Sequence, residues 1–256
     1  MSDFDRNYAT AMRGASADRA AVDAGLRAHM ISVYNYMAAA VALSGVTAWL
    51  AYQAAGGDAI VRSAGRVTGL TGFGQFIFSF PGQIVLFLGT LGLVFAISAM
   101  INRLSAATAL MMFMAYAAAV GVMLSSILLV YTGQSIIRVF FISATAFGGL
   151  SLYGYTTQRN LSAFGSFLVM GLIGLVIASL VNMFLQSSMM SFIISCIGLL
   201  VFAGLTAWDT QTIKEQYNVM DDGTVAGRKV VMGALKLYLD LINIFIFLLQ
   251  LIGDRR

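Results

Sequence analysis

The chain has 256 residues, 59% hydrophobic and 10% charged, with a net charge of +4 at neutral pH and a mean hydropathy of +0.86. That balance is too apolar and too poor in charge for a soluble domain, and the scattered basic residues form no run that would suit nucleic acid. The lone Cys196 and lone His29 exclude a disulfide framework and a cysteine or histidine cage for zinc.

Spans of about 20 residues joined by short loops use up almost the whole length, so the expected organisation is a polar tail, 1–30, and one membrane domain, 31–256. In the tail, Asp3, Asp5, Arg6, Arg13, Asp18, Arg19, Asp23 and Arg27 precede the first apolar run. This is not a signal-peptide pattern, and the tail is expected to stay on the side of synthesis. Its later part, Ser16 to His29, reads as a weakly amphipathic surface helix. His29 reads as an uninvolved interfacial residue.

The first span is predicted over Ile31 to Tyr52, with Tyr34 and Tyr36 at one interface and Trp49 and Tyr52 at the other. The longest connection follows, Gln53 to Gln83, with Gly56-Gly57, Arg62, Arg66 and the only proline, Pro81. There Phe73, Phe76, Phe78 and Phe80 read as a tether to the headgroups. Further spans are predicted over Ile84 to Ile101, Ala106 to Tyr131, Ile136 to Tyr155, Leu161 to Leu185 and Met190 to Trp208. Small residues such as Gly171 and Gly174, Gly148 and Gly149, and Ser125 and Ser126 read as points of close helix packing. A second polar connection, Thr210 to Val230, leads to the last apolar segment. With a cytoplasmic N-terminus, Arg103, Arg159, Lys214, Arg228 and Lys229 fall inside, against Arg62, Arg66 and Arg138 outside, as the positive-inside rule requires.

The last segment, Met232 to Ile252, is apolar enough for a bilayer, yet Lys236, Asp240, Asn243 and Gln250 fall at spacings of four, three and seven and line one helical face. Polar groups at membrane depth face protein or water, so this is the expected inner helix. Its length permits a full span; its polar stripe permits a span or a re-entrant turn.

Acidic residues are absent from the apolar segments until Asp209 and Asp240. Sequential antiparallel helices bring these two toward each other. Carboxyls that close in a low dielectric share a proton and titrate as a unit; ionised, they form a hard-oxygen site suited to Ca2+. Arg103, at the end of the second span, and Lys236, one turn before Asp240, are candidate counter-ions. The alternative reading is a salt bridge, Asp209 to Arg103 or Asp240 to Lys236, that sets helix register. With no embedded base for a serine nucleophile and no phosphate-binding glycine motif, a non-enzyme without a cofactor is expected.

The stretches GLTAWDTQTIKEQY, Gly204 to Tyr217, and GALKLYLDLINIFIFLLQLIG, Gly233 to Gly253, resemble the two diagnostic segments of the Bax inhibitor-1 family in its bacterial branch. The resemblance implies an all-α fold of seven hydrophobic helices, six wrapped around a central C-terminal one, in a bacterial inner membrane. It also implies a pH-sensitive calcium leak controlled by Asp209 and Asp240, with Arg103 as partner to the first. Protons, calcium ions and lipid are then the expected ligands. The rival readings are a non-transporting regulator that binds a quality-control protease or stress factors, and an intramembrane aspartyl protease. The latter is disfavoured by Leu237, Tyr238 and Leu239 ahead of Asp240, where a Gly-x-Gly motif is needed.

Overall fold

The computed structural model describes residues 3–63 and 66–255, with side chains from 22 onward outside 58 and 61–67. Helix α1, Asp3–Ala54, is followed by a short 3-10 turn at Gly57–Ala59 and an antiparallel hairpin of β1, Val61–Ser63, and β2, Arg66–Thr68. Six more long helices complete the chain after a short one, α2, Gly72–Phe78: α3, Phe80–Met100; α4, Ala106–Val130; α5, Gly133–Thr156; α6, Ser162–Leu185; α7, Ser188–Glu215; and α8, Gly223–Ile252. Seven helices, counting α1 from Val22, are long and apolar enough to cross a membrane.

Most starts are written in the sequence as N-caps. Ser79, Ser105, Thr132 and Ser187 each accept a backbone N–H at the head of α3, α4, α5 and α7, and Asp222 accepts two at the head of α8. These side chains satisfy donors that the first turn of a helix leaves unpaired.

The boundaries differ from the sequence expectation at three places. The tail is continuous with the first span, so the expected separate surface helix over Ser16 to His29 is part of α1. Helix α7 runs on to Glu215 instead of stopping at Trp208, and α8 starts at Gly223 instead of Met232. The reason is packing: Ile213 is 2% exposed and lies where a Cβ on Gly233 would meet it at 3.2 Å, so the polar ends of both helices remain helical beyond the apolar run.

Half of the apolar window of α8 is buried, against 11% for α3 and for α6, which makes α8 the inner helix as expected. The six others form two trios around it. Helix α4 packs on α1 and α3; α7 packs on α5 and α6; and α8 lies between the trios against α1, α4, α5 and α7. The expected wrap is thus direct for four helices, with α3 and α6 in an outer layer.

Helix α8 crosses the whole bundle. At its start Arg228 Nε donates to Leu104 O at 2.5 Å, in the α3–α4 turn. At its end Asp254 O accepts Thr132 N–H at 3.0 Å, Asp254 N–H donates to Ser135 Oγ at 2.9 Å, and Arg138 pairs with Asp254 at 2.9 Å. The α4–α5 turn is at the opposite end of the 25-residue α4, so the re-entrant alternative does not apply.

Between α1 and α3, Ile77 packs with Ala51 and Ala55, which tucks α2 under the end of α1. Phe73, Phe76 and Phe80 are exposed on this segment. The close helix approaches occur at glycines other than those expected. A Cβ on Gly154 would collide with the Ala207 carbonyl oxygen, and one on Gly198 with the Phe247 ring; of the expected positions Gly171 meets Val201 at 3.4 Å, whereas Gly148, Gly149 and Gly174 face open space.

Candidate functional site

The polar groups of α7 and α8 meet inside the bundle. Asp209 is six residues from the end of α7 and 8% exposed; Asp240, at the eighteenth of the 30 positions of α8, is 3% exposed. Lys236 Nζ donates to Asp209 Oδ1 at 3.2 Å and lies 5.8 Å from the Trp208 ring centroid, a distance at which the ring face attracts a cation. The charges of Asp209 and Lys236 both act on Asp240, yet Asp240 Oδ2 is buried with no hydrogen-bond partner. Buried carboxyl oxygens are almost always paired.

Both counter-ion pairings proposed from the sequence are replaced by a crossed one. On a helix each Cα–Cβ bond leans toward the N-terminus, so Lys236 points away from Asp240 and toward the end of α7, where Asp209 stands. Arg103 is exposed in the turn after α3 and makes no ion pair among the described residues, because α3 is in the outer layer, away from α7. Asn243 donates to Leu239 O at 2.8 Å within its own helix. Gln250 accepts from Ser195 at 2.6 Å at the far end of the bundle.

Two hydroxyl chains flank the aspartates and were not singled out from the sequence. Tyr34 Oη lies 2.6 Å from Ser151 Oγ, which lies 2.9 Å from Thr210 Oγ1, beside Asp209. Ser44 Oγ lies 2.7 Å from Tyr238 Oη and 2.7 Å from Ala117 O. Tyr34, expected as an interfacial anchor, is half-buried and hydrogen-bonds across to α5. The available signal was a set of hydroxyls at membrane depth, two of them, Thr210 and Tyr238, next to or near the aspartates. His29 is also internal: it is 8% exposed, packs 5.5 Å from the Tyr217 ring, and leaves Nε2 without a partner.

Among the described residues no three His, Cys, Asp or Glu side chains converge as a metal cage.

A bundle of seven apolar helices, the central one carrying a buried carboxyl, is a polytopic membrane protein. The chain belongs to the Bax inhibitor-1 family: the family model described as inhibitor of apoptosis-promoting Bax1 matches residues 26–256. It is similar to the inner membrane protein YbhL of Escherichia coli, 43% identical over 236 residues that cover 91% of this chain and 94% of the relative. It is also similar to protein RP147 of Rickettsia prowazekii, 42% identical over 258 residues and the full length of both chains.

Proposed function

We propose that the protein is a pH-sensitive leak for cations, with Ca2+ as cargo, gated by Asp209 and Asp240 and located in a bacterial inner membrane. The observation that carries this reading is the unpartnered Oδ2 of Asp240 at the centre of the bundle, beside an Asp209–Lys236 pair. With Asp240 protonated the three side chains carry no net charge; with Asp240 ionised they carry one net negative charge in a low dielectric, where an uncompensated charge is costly. A cation or a helix displacement relieves that cost. At low pH the carboxyls hold α7 and α8 together, and as pH rises their separation opens a path along α8.

The charged groups facing Asp240 are Asp209 and Lys236. Helix α4 contains no charged residue, and α5 only Arg138 at its far end. The described part of α1 contributes Asp23, Arg27 and His29 near its start. A cytoplasmic N-terminus is supported by five basic residues, Arg103, Arg159, Lys214, Arg228 and Lys229, at the same end as the start of α8, against Arg138, neutralised by Asp254, and Arg255 at the other end.

The test is Ca2+ flux into liposomes containing the purified protein, from about pH 5 to about pH 8, for wild type, Asp209→Asn and Asp240→Asn. Flux that rises with pH in wild type and is flattened by either substitution is expected. Absence of flux above empty liposomes at every pH would refute the leak, leave the aspartates structural, and turn attention to binding of other membrane proteins.

A further inference from the structure

At the end of the bundle opposite Arg103 and Arg159, the last turns of α6 and α8 and the first turns of α7 border an open cavity of about 560 Å3, with Tyr131 and Arg255 at its rim and Ser191, Gln250 and Arg255 exposed in it. The hydrogen bonds of its walls are unevenly spent. Asn182 Oδ1 accepts the Ser187 N–H at 3.1 Å, and its Nδ2 donates to Ser191 Oγ at 2.8 Å. Ser191 Oγ is thereby used as an acceptor and keeps its own proton to give. Gln250 Oε1 accepts from Ser195 at 2.6 Å, with the proton shared with the Ser191 carbonyl at 2.8 Å. Ser195 has only one proton to give, so the Gln250 carboxamide keeps at least one N–H unengaged whichever way it is turned.

Arg255 completes the set. Its guanidinium lies 5.9 Å from the Tyr131 ring centroid and makes no ion pair, because the adjacent carboxylate, Asp254, is taken by Arg138. Neither Asp nor Glu lines the cavity. The Asn182 carbonyl oxygen is engaged by the protein, while an O–H on Ser191, an N–H on Gln250 and a positive charge remain. That is the complement of an oxyanion, and a guanidinium matches phosphate oxygens in pairs.

We infer that this cavity binds a phosphate-bearing anion, either a soluble phosphomonoester or the phosphodiester of an anionic lipid headgroup. Its volume is in the range of small-molecule sites, enough for a phosphate with an attached glycerol. It opens at the helix ends, where headgroups and water are both within reach. Arg255 supplies the charge, and Gln250 and Ser191 supply directed hydrogen bonds. The site is independent of Asp209 and Asp240 and does not rest on the leak.

Two probes separate the sources. The full chain in phosphatidylcholine nanodiscs is titrated calorimetrically with glycerol phosphate; in nanodiscs mixed with phosphatidylglycerol, retained lipid is weighed by native mass spectrometry. Saturable binding of either probe is expected, with glycerol phosphate indicating a soluble ligand and phosphatidylglycerol alone a lipid. Arg255→Gln should weaken binding about tenfold or more, the scale of a charge-assisted hydrogen bond. Arg255→Lys should restore part of it, and Arg159→Gln at the other end should change nothing. Gln250→Leu, predicted to weaken binding severalfold, decides the matter should the Arg255 variants fail to fold. Absence of binding by both probes, or wild-type binding in a folded Arg255→Gln, would overturn the inference.

Discussion

Lys236 stands four residues before Asp240 on one face of α8, yet its ammonium bonds Asp209 on the neighbouring helix. Side-chain direction decides this: the lean of a helical side chain toward the N-terminus carries Lys236 away from its own-helix aspartate. Its side chain is 37% exposed and that of Asp209 11%, so the pair is intermediate between surface bridges, worth under about 1 kcal/mol, and buried ones, whose disruption costs about 3–5 kcal/mol. Lys236→Met should lower stability by about 1–2 kcal/mol, measured by denaturant unfolding in detergent. Adding Asp209→Asn should recover part of that loss, because the uncompensated carboxylate is gone. Fully additive costs in the double variant would show that the pair is not coupled.

Helix α5 owes its seat against α7 to one position. The missing Cβ of Gly154 leaves room for the Ala207 backbone, and backbone has no rotamer by which to yield. Gly154→Val should separate the two helices and cost more than about 2 kcal/mol, as overpacking does. Gly148→Ala, six residues earlier with nothing within 4 Å, should be neutral or stabilise by up to about 1 kcal/mol through helix propensity. Thermal unfolding of the two variants side by side checks the contrast. Equal effects would place the close approach elsewhere. The general expectation of small-residue packing holds at Ser125 and Gly171 and fails at Gly148, Gly149 and Gly174, because apolar sequence shows which residues are small but not which face meets a neighbour.

The two trios held by α8 define the molecule as a whole. Helix α8 is about 45 Å long, taking its 30 residues at 1.5 Å each, and its ends are pinned to turns on opposite faces of the bundle. With Cys196 replaced by Ser, Arg159→Cys and Arg255→Cys should react with a membrane-impermeant thiol reagent from opposite sides. Labelling of both from one side would mean that α8 turns back.

The number of spans, their rough limits, the inner position of the last helix and the two aspartates were legible in the sequence. Each follows from local quantities: apolar length, and polar groups at helical spacing in otherwise apolar segments. The tertiary structure alone decided that α8 crosses fully, that Lys236 serves Asp209 while Arg103 serves neither aspartate, that Tyr34 bonds Ser151 and His29 is buried, and that Gln250 belongs to a separate cavity. These depend on which faces of distant helices meet. Periodicity places a residue on a face, and only packing determines what that face touches.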